Sequence, residues 1–109
     1  MKSFKKLLLG ALVKSEHRQY RHVTLVLKGG AVLAHGYNRG HRHSEVNALS
    51  HLWPNKRKGV SILNVMFRKN GEMGMARPCP ECMQYLKSQG VSKVTYYNDK
   101  KGEWESERI

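Results

Sequence analysis

The alternation of apolar and polar positions first becomes readable in two branched, apolar runs, residues 22–28 and 31–36, joined by Gly29-Gly30. A diglycine between two such runs supplies the positive φ of a tight turn and predicts a β-hairpin. From residue 43 the period changes: Glu45, Leu49 and Leu52 recur at i, i+4 and i+7, the spacing of one helical face, until Pro54 interrupts it. The spacing predicts a helix over 43–53 with the acid on the stripe that faces a sheet. Residues 55–59 read as a basic turn, 60–68 as a buried strand, and 70–76 as a loop opening on Asn70-Gly71. A second helix follows, with Cys79, Cys82, Met83 and Leu86 on one face and Gly90 at its end. Residues 91–97 and 103–109 read as strands around a turn at 98–102. So short a turn makes that last pair antiparallel, because a parallel pair needs a crossover of a dozen or more residues. Near the amino end, Phe4, Leu7, Leu8, Ala11 and Leu12 fall at helical spacing. The apolar run behind Lys5-Lys6 is at the short limit for a signal peptide and no small-residue cleavage site follows, so an amphipathic helix is expected there.

At 109 residues the chain has room for a single core, and the elements predict one domain over 1–109, an α/β structure with helices packed on a mixed sheet. No apolar segment is long enough to span a bilayer. The only cysteines are Cys79 and Cys82, too few for a disulfide framework, and a reducing compartment is the expected setting.

Chemistry concentrates in two short segments, His43-Ser44-Glu45 and Pro78-Cys79-Pro80-Glu81-Cys82. One imidazole and two thiolates make a ligand set suited to Zn²⁺, and three protein ligands leave the fourth tetrahedral corner for water, as a catalytic site requires. Cys79 and Cys82 lie one helical turn apart, so both sulfurs reach one metal; Pro78 and Pro80 suit a helix start, where a missing N–H is harmless. Glu45, two residues beyond His43, is placed to move protons rather than to coordinate. Taken singly, Cys-x-x-Cys also fits a dithiol redox pair and His-x-Glu occurs by chance, and a purely structural zinc site is the remaining alternative.

His43-x-Glu45 followed by Pro78-Cys79-x-x-Cys82 resembles the signature of the cytidine deaminase-like zinc deaminases. The resemblance runs from about Val23 to about Tyr97 and includes Gly36-Tyr37-Asn38 and Asn47-Ala48. It implies a three-layer fold with a five-stranded mixed sheet, helices on both faces, and the last two strands antiparallel. It implies zinc on His43, Cys79 and Cys82, with Glu45 as the catalytic acid and base. Asn38 is implied as a substrate contact near the sugar, and Tyr37, Arg39, Arg42, Ser44 and Pro78 are the neighbouring substrate-contact candidates. An antiparallel last pair looks like the branch holding free-nucleoside deaminases and toxin-type deaminases of DNA; Gly36-Tyr37-Asn38 looks more like deoxycytidylate deaminases.

Charge bears on that conflict. Lys and Arg number 20 against 8 Asp and Glu, a formal net charge of +12, which a polymer of phosphates explains better than one mononucleotide does. Arg39, His41 and Arg42 precede the His-x-Glu helix, while Lys56, Arg57, Lys58 and Arg77 fall in loops expected to rim the site and track a nucleic-acid backbone. Tyr37, Trp53, Tyr96, Tyr97 and Trp104 are available for base stacking, with core packing as the plainer role. The expected activity is deamination of cytosine to uracil in DNA, single-stranded or flipped out of a duplex. Free deoxycytidylate or cytidine is the alternative substrate, and a zinc-stabilised nucleic-acid-binding module without catalysis is the alternative of another class.

Overall fold

The computed structural model describes residues 20–38, 43–69 and 71–109. The expected amino-terminal helix, and Arg39, His41 and Arg42, lie outside the described residues.

A hairpin of β1 (Tyr20–Lys28) and β2 (Ala31–Tyr37) comes first, its turn made by Gly29 and Gly30 at φ 58 and 82, values that only glycine adopts readily. Helix α1 (Ser44–Ser50), a 3-10 turn (Pro54–Lys56) and strand β3 (Ser61–Arg68) follow. After a two-residue strand β4 (Met73–Gly74) come helix α2 (Pro80–Ser88) and the strands β5 (Lys93–Asn98) and β6 (Glu103–Arg108). The sheet has six strands, ordered β2-β1-β3-β5-β6, with β4 added beside the second half of β3. β3 and β5 are parallel, joined through α2, and β5 and β6 are antiparallel, as their short connection requires.

One expectation needs correction. The sheet is six-stranded rather than five-stranded, because Met73 and Gly74 pair with Phe67 and Met66 along the part of β3 that β5 leaves uncovered. Of the helices expected on both faces, the two described ones share one face, and the expected amino-terminal helix falls outside the described residues. Gly36, Thr24, Asn64 and Tyr96 lie opposite one another across four strands and so point to the same face. That face meets α1 at Gly36, where a Cβ would lie 2.3 Å from the Ala48 nitrogen. The next row, Ala34, Val26, Ile62 and Val94, is buried with Ala48 and Leu49 of α1 and Leu86 of α2 in one core cluster. On the opposite face Val23, Leu25 and Val65 are fully buried. No helix among the described residues is long and apolar enough to cross a membrane.

Candidate metal centre

Both ligand segments sit at helix starts. His43 is the N-cap residue of α1 and Cys79 that of α2, each in extended backbone with ψ 151 and 163, and each carbonyl accepts the first helical bond, from Asn47 and Met83. Pro80 occupies the first turn of α2, where its fixed φ suits the helix and its missing N–H has no intrahelical partner to lose. The exposed amides and partial positive charge of that helix start favour anionic sulfur.

The two starts converge because both helices pack on the same sheet face. His43, Cys79 and Cys82 offer ligand atoms that all lie within 4.8 Å of one another, a group that could hold a metal ion. Nδ1 of His43 is 3.3 Å from Sγ of Cys82. Nitrogen and sulfur bound tetrahedrally at zinc's usual bond lengths are about 3.6 Å apart, so this pair is already near the spacing that the metal needs. One borderline nitrogen and two soft sulfurs are compatible with zinc. His43 and Cys79 are exposed while Cys82 is buried, so the group opens to solvent on one side only.

Glu45 forms the closed side. It is 4 % exposed and lies close enough to Cys82 to act on it electrostatically. Burial pushes the Cys82 thiol far above its usual range, and the Glu45 carboxylate adds to this, so in the metal-free chain the thiol keeps its proton. A metal binding there displaces that proton.

A buried carboxylate needs partners. Glu45 Oε1 accepts from Ser44 Oγ at 2.8 Å; Ser44 Oγ is 2.8 Å from Thr24 Oγ1, and Thr24 donates to Asn64 Oδ1. These are all buried side chains, and the chain of contacts runs from the acid down into the middle of β1 and β3. Thr24 and Asn64 were not singled out from the sequence, although a polar residue inside each of two otherwise apolar strands is the signal that marks them. Asn47 Oδ1 accepts from the Tyr37 backbone at 3.1 Å and ties α1 to β2. Ser44, a substrate-contact candidate, is 1 % exposed and donates to Glu45. Asn38 Oδ1 accepts from the His22 backbone at 3.1 Å, which fixes the end of the hairpin. Tyr37 is half-buried and Pro78, beside Cys79, is buried.

The basic candidates divide. Arg77, next to Pro78, is in a two-point ion pair with Glu107 at 2.7 and 3.1 Å, and Glu107 also accepts from the Tyr96 hydroxyl. Burial, then the bond to Glu107, pushes the Tyr96 phenol up to about 12. Lys56, Arg57 and Lys58 do not rim the site. Gly59 N donates to Gly90 O at 2.8 Å, and Arg57 bonds Leu52 O and Gln89 Oε1, so this turn lies at the C-terminal ends of both helices, away from the ligand-bearing starts. Spacing along the sequence could not reveal this, since it depends on the two helices running the same way on one face.

No family model, curated protein or solved structure matches the chain.

Proposed function

We propose that this chain is a zinc-dependent deaminase that converts cytosine to uracil, with cytosine presented from DNA. The observation that carries the reading is the pairing of a three-ligand group with an acid that is buried beside it and is not one of the ligands. A structural zinc site has no use for such an acid, whose burial costs free energy that its bond from Ser44 offsets only in part. The order of elements, a hairpin before the His-x-Glu helix, a strand after it and a second helix bearing the cysteines, supports the resemblance to the cytidine deaminase-like fold.

His43, Cys79 and Cys82 would hold the metal. Zinc bound there supplies a Lewis acid that makes water acidic near neutral pH. The chain's own contribution is proton movement at Glu45: its carboxylate takes a proton from water, and the resulting carboxyl gives that proton to the cytosine ring nitrogen. A second transfer through the same oxygen lets the exocyclic amine leave as ammonia, so cytosine and water become uracil and ammonia. The bond from Ser44 to Oε1 fixes one carboxylate oxygen and leaves the other for these transfers. Because Glu45 and Cys82 are buried, a cytosine stacked in a duplex is out of reach, and the base has to be unstacked or flipped.

The net charge of +12 favours a polynucleotide over a free nucleotide. Incubation of the zinc-loaded protein with a cytosine-containing oligonucleotide and, separately, with deoxycytidylate, each assayed for uracil, tests both parts. Uracil in the oligonucleotide is the expected result. Turnover of deoxycytidylate alone overturns the DNA assignment, and no turnover of either overturns the activity.

A further inference from the structure

Among the described residues, positive charge without matching acids collects at one end of the sheet. Leu27 pairs with Ser61, Ser61 with Lys93 and Lys93 with Arg108, so the hairpin turn, the starts of β3 and β5 and the end of β6 lie together at one end of the sheet. The contact from Gly59 to Gly90, and that from Ser92 N to Val60 O at 2.9 Å, bring the 3-10 turn and the end of α2 to the same end. Lys28, Lys56, Lys58, Lys87, Lys93 and Arg108 all belong to this pole and all are exposed. None of these lysines has an ion-pair partner among the described residues. Among the described residues the one acidic side chain beside the pole, Glu107, is engaged with Arg77. The other described acids sit at the starts of α1 and α2, in the β3–β4 turn and along the opposite half of the β5–β6 hairpin.

Trp53 stands within this pole. It is 79 % exposed, the most exposed large apolar side chain among the described residues, and enters the 3-10 turn three residues before Lys56. Water gives no reason to present an indole in this way. The turn that carries it is fixed, because Arg57 bonds the Leu52 carbonyl at 3.1 Å and Gln89 at 2.7 Å. Arg57 is therefore the structural member of the basic triplet, and it holds Trp53, Lys56 and Lys58 outward in advance of any ligand.

We propose that this pole is a docking surface for single-stranded DNA, one base stacked on Trp53 and the adjoining phosphates on Lys56 and Lys58. An exposed aromatic plane between unpaired cations is the combination by which single strands are held without regard to sequence. The surface extends the proposed deaminase site, and on that reading it sets the footprint. The nine residues of α2 run from the Cys79 cap to the pole over about 14 Å, the length of roughly four nucleotides at stacked spacing. A substrate strand then needs about four nucleotides on one side of the target cytosine to reach both points.

The test uses zinc-loaded Trp104→Phe protein, in which Trp53 is the one remaining indole, titrated at low salt with oligothymidylate. That probe contains no cytosine, so the outcome does not depend on deamination. Quenching of Trp53 emission is expected, with Trp53→Ala weakening binding of the same probe about 10-fold or more. Lys56→Ala with Lys58→Ala should reduce the slope of log affinity against log salt by about 1.4. Cytosine oligonucleotides extended by four flanking nucleotides should be deaminated faster than ones with a single flank, an advantage that Trp53→Ala removes. Unchanged emission with oligothymidylate overturns the proposal, as does quenching by anionic phosphatidylserine vesicles in place of the oligonucleotide. Quenching without any deamination leaves this surface standing and removes the enzymatic reading instead.

Discussion

Gly36→Ala is the substitution that separates a correctly assembled site from one merely containing the right residues. Gly36 lies in β2 where α1 crosses closest, and a Cβ there would be 2.3 Å from the Ala48 nitrogen and 2.7 Å from both Ala48 Cα and Asn47 Oδ1. Two of the three obstacles are backbone, so no rotamer change relieves them. Ordinary contact begins at about 3.4 Å, which means α1 has to retreat from the sheet by about 1 Å. The helix carries His43 and Glu45, whereas Cys79 and Cys82 belong to α2 and stay behind. Overpacking of this kind costs about 1–3 kcal/mol, a fall in Tm of roughly 5–20 °C for a domain of this size. A displacement of about 1 Å at a catalytic constellation can remove 10²-fold in rate. Thermal melting with and without chelator, zinc content after gel filtration and oligonucleotide deamination measure the three effects. The expected variant melts lower, gains less from zinc than the parent and turns over at a few per cent of its rate or less. A variant that melts, binds zinc and reacts like the parent would refute the packing of α1 on Gly36.

Cys82→Ala removes the buried member of the proposed ligand group, its sulfur 3.3 Å from His43, and metal analysis should show zinc lost from the purified variant. Thr24→Val keeps shape but deletes the hydroxyl between Ser44 and Asn64; a loss of about 1–3 kcal/mol is expected by chemical denaturation, with Thr24→Ser largely restoring it. Glu107 is held below the usual carboxylate range by its bonds to Arg77 and then Tyr96. Its contribution to stability is therefore present above the ordinary pKa of 4.5 and lost as pH falls through the lowered folded value, so Glu107→Gln should show a smaller drop in Tm between pH 7 and pH 3 than the parent does.

What the sequence made legible was local. Gly29-Gly30 forms the hairpin turn at positive φ, Gly90 follows the end of α2 at φ 85, and the short 98–102 connection makes the last pair antiparallel. The group that could hold a metal was equally legible, because metal-ligand chemistry constrains residue type and spacing tightly enough for the sequence to single out His43, Cys79 and Cys82 without their convergence. Helix α1 is shorter than its apolar spacing predicts. After Ser50 the backbone tightens to i→i+3 bonds, from His51 to Ala48 and Leu52 to Leu49, and Trp53 is extended at ψ 143, as the residue before a proline prefers. Strand β4 has two residues and exists only because β3 offers an open edge, information held in the partner strand rather than in Met73 or Gly74. The same reason hid Thr24 and Asn64, neighbours only once β1 and β3 are in register, and misplaced Lys56, Arg57 and Lys58 at the wrong end of the helices. Arg77, a nucleic-acid candidate by its sequence position, is engaged by Glu107, a partner that only the folding back of β6 brings beside it.

Glu45→Gln tests the central claim most directly, since the substitution keeps size and a hydrogen-bonding oxygen for Ser44 while removing the exchangeable carboxyl proton. The measurement pairs zinc per chain with uracil formed in a cytosine-containing oligonucleotide. The account predicts zinc equal to the parent's and uracil formation reduced by at least about 10²-fold, the lower end of what general acid–base catalysis contributes. Zinc retained together with parent-like turnover would contradict it, and so would loss of zinc from the variant, which would make Glu45 a ligand rather than the group that moves the proton.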